Sequence, residues 1–168
     1  MFSGKTEELI NRVKKSNKSY KVFKPDIDTR NEKDKIKSHS KIEIDATTID
    51  DINEILNYKD KFDVIGIDEA QFFSNDIVSV SNSLANSGVR VIIAGLDMDF
   101  SGKPFGPMPF LMAIAEDVTK VHAECVETGD PALYSFRKVD NDETVMIGEK
   151  KEYKPLSRKA FVSKMKKK

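Results

Sequence analysis

The sequence predicts an α/β fold: a P-loop-type parallel sheet flanked by helices, with a small C-terminal β-hairpin subdomain. Three observations predict it. Strand-like and helix-like segments alternate along most of the chain, as βαβ units require. "FDVIGID" (62–68) and "VRVIIAG" (89–95) are near-continuous apolar runs, the pattern of parallel strands covered on both faces. "SGKT" (3–6) stands directly before an amphipathic helix, where a phosphate-binding loop ends.

The elements follow in order. Residues 7–16 (EELINRVKKS) read as a helix, with an acidic first turn, a basic last turn and apolar Leu9, Ile10 and Val13. "YKVFKP" (20–25) reads as a short strand ended by Pro25. Residues 26–47 are polar and predict a long mobile loop with a short strand at 41–44. Thr48 or Asp50 would cap a helix running to about Tyr58. After the first apolar run, residues 75–87 suit a helix stopped by Gly88. After the second, residues 109–116 suit a short helix and "VTKVHAE" (118–124) a third strand. "YSFRKV" (134–139), the turn "DND" (140–142) and "ETVMIG" (143–148) read as a β-hairpin. The expected division is 1–123 for the α/β domain and 124–168 for the subdomain.

Composition bounds the partners. The chain has 168 residues, 39% hydrophobic and 33% charged, which suits one soluble globular core. Lys plus Arg and Asp plus Glu are both 28, so net charge points to no nucleic acid. The basic end (Lys159, Lys164, Lys166, Lys167, Lys168) reads as a solvated helix end. No run of about 18 apolar residues would span a membrane, and the polar first 15 residues are no secretory signal. A single cysteine, Cys125, excludes an internal disulfide and fits the cytoplasm.

Four segments could carry chemistry. In a phosphate-binding loop, Gly4 lets the backbone approach phosphate oxygens, Lys5 reaches the β and γ phosphates, and Thr6 coordinates Mg²⁺. Alone, "SGKT" equally suits a helix-capping turn. Asp68 and Glu69 follow the first apolar run, at the carboxyl end of a buried strand, where open α/β sheets bind ligands. Asp68 would hold Mg²⁺. Glu69 would be a general base toward a substrate hydroxyl, making a kinase, or toward water, making an ATPase. "LDMDFSGKPFGPMP" (96–109) is too rich in Gly, Pro and Phe for a simple connection. Phe100 and Phe105 would form a slot for a flat ring, or fill the core. Asp28-Thr29-Arg30 follows the 20–25 strand, and its arginine suits phosphate or a solvated loop.

"MFSGKTEEL", "DTR", "IGIDEAQFF", "IAGLDMDFSGKPFGPMP" and "VTKVHAEC", in that order, resemble the successive signatures of the cellular (type II) thymidine kinases. The resemblance covers essentially the whole chain, and "DEAQFF" with "LDMDFSGKPFG" is highly specific. It implies transfer of the γ-phosphoryl group of ATP to the 5′-hydroxyl of thymidine, and less well of deoxyuridine. By the resemblance, Ser3, Gly4, Lys5, Thr6, Asp68 and Gln71 bind ATP, with Thr6 and Asp68 at Mg²⁺. Glu69 is the base, and Arg30 neutralises charge on the transferred phosphoryl group, with Asp28 beside it. Met1, Leu96, Phe100 and Phe105 surround thymine, with Phe72 near the nucleoside. Ser135, Met146, Ile147, Gly148 and Tyr153 match the family's lasso, whose backbone groups hydrogen-bond the base edge while Tyr153 packs over it. A homotetramer in the cytoplasm, feedback-inhibited by the triphosphate end product, is also implied.

The sequence departs from the family twice. The positions that match the family's zinc ligands read Cys125, Thr128, Ser157 and Ala160, so the expectation is a zinc-ribbon-like subdomain without zinc, held by packing of Leu156 and Phe161. The family also has a β-strand and a leading loop glycine before the position of Met1. The expectation is that the natural protein starts upstream, and that loss of a central strand would open a groove in the sheet. A truncated or degenerate non-catalytic relative and a P-loop ATPase are the alternative readings.

Overall fold

The computed structural model describes residues 2–26, 35–37, 42–138 and 152–166. The predicted strand at 143–148 lies outside them, as do 27–34 and 38–41 of the loop predicted at 26–47. The chain divides into two compact units. One comprises Lys5–Asp97 and Phe105–Val118; the other comprises Met1–Gly4, Met98–Pro104 and Thr119–Lys168.

In the larger unit the chain runs α1 (Lys5–Lys15), β1 (Tyr20–Pro25), β2 (Lys35–Lys37), β3 (Glu43–Asp45), β4 (Thr47–Ile49), a 3₁₀ helix (Ile52–Tyr58), β5 (Val64–Ile67), a 3₁₀ turn (Ala70–Phe72), α2 (Asp76–Asn86), β6 (Arg90–Ile93) and α3 (Met108–Ile114). Four strands form a parallel sheet in the order β4-β1-β5-β6. Within it β1, β5 and β6 are contiguous ladder partners.

Alternation along each strand sends successive side chains to opposite faces, which is how one sheet makes two cores. Phe23, Ile65 and Ile67 pack on one face with Ile77, Val80 and Leu84 of α2 and with Ile52 and Ile55. Val22, Val64 and Ile92 pack on the other with Leu9, Ile10 and Val13 of α1. Burial of each such side chain contributes roughly 1.5–3 kcal/mol. Gly66 lies under α1: a Cβ there would meet Val13 Cγ2 at 3.2 Å and Val22 Cγ2 at 3.3 Å, so its bare backbone sets how closely the helix approaches. Lys24 is also buried on β1, and its Nζ donates to the carbonyl of Lys35 at 3.0 Å.

Two predicted boundaries move. The helix expected from Thr48 or Asp50 begins later, because the β-branched run Thr47-Thr48-Ile49 pairs in parallel with Phe23–Pro25. Asp51 caps the 3₁₀ helix instead, its side chain accepting from Asn53 N at 2.9 Å. The strand expected at 41–44 is found at Glu43–Asp45 and pairs antiparallel with β2.

The smaller unit carries β7 (Ala123–Glu124), β8 (Pro131–Ala132), β9 (Tyr134–Arg137), β10 (Tyr153–Leu156) and α4 (Arg158–Met165). The third strand expected at 118–124 shrinks to Ala123–Glu124, because β8 supplies ladder hydrogen bonds only there. β9 pairs antiparallel with β10, Tyr153 opposite Arg137 and Leu156 opposite Tyr134; the predicted hairpin partner at 143–148 lies outside the described residues. Its core gathers Cys125, Ala132, Tyr134, Phe136, Leu156, Ala160 and Phe161. The Tyr134 and Phe161 rings stack at 4.3 Å.

Candidate active site

The site of the larger unit grows from the carboxyl end of β5. The strand is apolar until Ile67, and the backbone N–H of Asp68 still donates to Phe23 of β1 at 2.9 Å. The next residue, Glu69, leaves the strand in the left-handed region (φ 50°, ψ 41°). That conformation costs an L-residue about 1–2 kcal/mol. It turns the chain so that Ala70 N donates to Ala94 after β6. Asp68 and Glu69 are thereby fixed at the end of the sheet where α/β proteins bind ligands.

The first turn of α1 meets this pair. Thr6 Oγ1 donates to Asp68 Oδ2 at 3.0 Å, linking positions 62 residues apart. Asp68 Oδ1 accepts from Glu69 N at 3.0 Å. Asp68 is only 4% exposed. Burial, and then the neighbouring Glu69 charge, push its carboxyl up to about 7, against the Glu69 N–H, the Thr6 hydroxyl and Lys5. Gly4 precedes the helix with φ 80° and no atom within 4 Å of where a Cβ would lie, so its left-handed backbone rather than crowding favours glycine there. Ser3, Lys5 and Thr6 are half-buried.

Gln71 is 3% exposed and is engaged at both ends of its amide. Nε2 donates to Glu69 Oε2 at 2.5 Å, and Oε1 accepts from Leu96 N at 2.9 Å. Phe72 and Phe105 meet edge to face, 5.7 Å between centroids at 86°. Thus Thr6, Asp68, Glu69, Gln71 and Leu96 form one hydrogen-bonded chain, with the Phe72–Phe105 pair in the same unit.

A buried carboxylate bonded to a helix-start hydroxyl, followed by a second carboxylate, is a donor set that phosphoryl transfer uses. A sequence model described as "TK: Thymidine kinase" matches residues 1–161. The chain is 53% identical over 165 residues to a thymidine kinase of Bacteroides thetaiotaomicron, covering 96% of this chain and 83% of that one. It is 52% identical over 164 residues to a thymidine kinase of Porphyromonas gingivalis (96% and 80%). It is 48% identical over 165 residues to one of Bdellovibrio bacteriovorus (96% and 81%). The chain belongs to the thymidine kinase family.

Of the residues that family membership singles out, Met1, Asp28, Arg30, Met146, Ile147 and Gly148 lie outside the described residues. Phe100, Ser135 and Tyr153 belong to the smaller unit. There the Arg137 guanidinium lies 3.5 Å from the Phe100 ring centroid, and Arg137 is the cross-strand partner of Tyr153. Ser135 and Tyr153 are buried on β9 and β10.

The four positions that match zinc ligands come together in that unit without four ligand side chains. Thr128 Oγ1 lies 3.3 Å from Ser157 Oγ, and Ala160 packs in the same core as Cys125. Burial pushes the Cys125 thiol up; hydrogen bonds from the Thr128 hydroxyl, the backbone of Ser157 and Glu127 and the Ser157 hydroxyl outweigh it and bring it to about 6. Among the described residues no group of three or more His, Cys, Asp or Glu is placed to hold a metal ion, and no helix is long and apolar enough to cross a membrane.

Two features were missed in the sequence. The left-handed Glu69 leaves no composition signal, since glycine is the usual marker of positive φ. The enclosure of Gln71 did leave one, in the glycines of "IAGLD" and "KPFGP": a Cβ on Gly106 would lie 2.5 Å from Gln71 O, and one on Gly95 3.0 Å from Gln71 Oε1.

Proposed function

We propose that this chain transfers the γ-phosphoryl group of ATP to the 5′-hydroxyl of thymidine, and less readily of deoxyuridine. The observation that carries the mechanism is the Thr6–Asp68–Glu69 arrangement at the end of β5. Lys5 and the backbone at the start of α1 face the ATP phosphates, where the helix dipole and N–H groups favour anions. The donor set of one hydroxyl and one carboxylate fits Mg²⁺, which keeps most of its shell as water and phosphate oxygen. Thr6 and Asp68 would hold it. Bound there, the ion supplies neutralisation of charge on the phosphate oxygens. Burial and the Glu69 charge raise the Asp68 carboxyl, and a cation held there would favour its ionised form.

Glu69 takes the proton from the 5′-hydroxyl as that oxygen attacks. Arg30, with Asp28, offsets the charge that spreads over the transferred group. Phe72, Leu96, Phe105 and Met1 serve the nucleoside by family resemblance, as do Phe100, Ser135, Met146, Ile147, Gly148 and Tyr153. A site that pairs thymine's one N–H and two carbonyls would reject cytosine, which leaves its groups unpaired. Family membership also supports a homotetramer acting in the cytoplasm, which sedimentation of the purified chain would test. The activity is tested by incubating the chain with ATP, Mg²⁺ and labelled thymidine. Thymidine monophosphate is expected. ATP consumed equally without thymidine would overturn the kinase reading in favour of an ATPase.

A further inference from the structure

We propose that Gln71 is the positioning residue of this site: its one amide holds the Glu69 carboxylate and the Leu96 backbone in a fixed relation, setting the base and a wall of the nucleoside site together. The inference rests on the reading of Glu69 as the base. Leu96 N–H can only donate, so the Gln71 atom facing it at 2.9 Å is the carbonyl oxygen. Nε2 is then turned to Glu69 Oε2, at 2.5 Å. A donor and an acceptor on one planar group of this reach is what glutamine alone supplies; Glu would place two acceptors there, and Met neither. The surroundings hold the amide still. Its residue is 3% exposed. A Cβ at Gly95 would lie 2.5 Å from Met108 Sδ and 3.0 Å from Gln71 Oε1, and one at Gly106 2.5 Å from the Gln71 carbonyl oxygen, so both glycines leave room for this packing. A misplacement of about 1 Å at a reacting group can cost about 10²-fold in rate.

The test is a double-mutant cycle. Gln71→Glu keeps the shape and the acceptor for Leu96 N–H but sets a carboxylate against Glu69; Gln71→Met removes both bonds. Each is made alone and in a Glu69→Ala background, and kcat and KM for thymidine and ATP are measured. Expected is a fall in kcat of about ten-fold or more from either change when Glu69 is present, and of less than about two-fold when it is absent. KM for ATP stays within about two-fold of wild type. Equal losses in both backgrounds would mean a merely structural role and overturn the proposal. A raised KM for ATP with unchanged kcat would also overturn it, by making Gln71 an ATP contact. Should Gln71→Met fail to fold, Gln71→Glu decides alone, its folding checked by thermal denaturation. A wild-type chain that makes no thymidine monophosphate would remove the reading of Glu69, and this one with it.

Discussion

Replacing Gly106 by alanine tests whether the loop after β6 is as tightly locked onto Gln71 as the geometry requires. Gly106 has φ 50°, and a Cβ there would lie 2.5 Å from the carbonyl oxygen of Gln71 and 3.4 Å from its carbon. Two costs add. The left-handed conformation costs an alanine about 1–2 kcal/mol. The clash is with backbone, which cannot swing aside like a side-chain end, and overpacking of this kind costs about 1–3 kcal/mol. The sum is about 2–5 kcal/mol. For a chain of this size each kcal/mol lowers Tm by about 2–4 °C, so Tm should fall by about 4–20 °C. Gly88→Ala is the control. Gly88 has a similar positive φ, 88°, but nothing within 4 Å of its Cβ position, so it carries the strain alone. Its expected fall is about 2–8 °C, from the strain term only. Thermal denaturation of both variants, followed by kcat of Gly106→Ala, reads the difference. Equal Tm values for the two variants, with kcat of Gly106→Ala unchanged, would refute the claim that Gly106 is required by contact with Gln71.

Two further outcomes follow from buried titratable groups. Folding raises Asp68 from 3.8 to about 7, so its contribution to stability is present below about pH 4 and lost as pH rises toward 7. Asp68→Asn, always neutral, should therefore melt higher than wild type at pH 8 without Mg²⁺ while losing kinase activity; a lower Tm there would contradict the assignment. Folding lowers Cys125 from 9.0 to about 6, the opposite sense: stability is present above about pH 9 and lost as pH falls through 6. Cys125→Ala should remove that rise between pH 6 and 9 in denaturant titrations, and an unchanged slope would show the thiol is not held as thiolate.

The parallel sheet was legible because its strands stand in apolar runs, β5 buried throughout. Val64–Ile67 and Arg90–Ile93 stand inside the two apolar runs, and Gly88 stops α2 as expected. The charge ordering of α1, with Glu7 and Glu8 first and Arg12, Lys14 and Lys15 last, likewise marked its ends. What failed was pairing. Thr47–Ile49 reads locally as a helix start and becomes a strand only because β1 offers a ladder. Residues 118–122 read as a strand and lack one beyond β8. At the site, residue types announced Asp68, Glu69, Thr6 and the phenylalanines. Their arrangement was not legible, because the turn at Glu69 and the amide bridge through Gln71 are closed by contacts with the distant Ala94 and Leu96. Nor could the burial of Lys24 be read from a strand that carries a second, partly exposed lysine, Lys21.

The most direct test of the central claim is the rate of thymidine monophosphate formation from ATP and thymidine, compared between the wild-type chain and Glu69→Ala. The account predicts product from the wild type, and a kcat lower by about 10²–10⁴-fold in the variant, the usual worth of a general base. Product formed at the same rate by both would contradict it, because the carboxylate that Gln71 holds would then have no part in the chemistry.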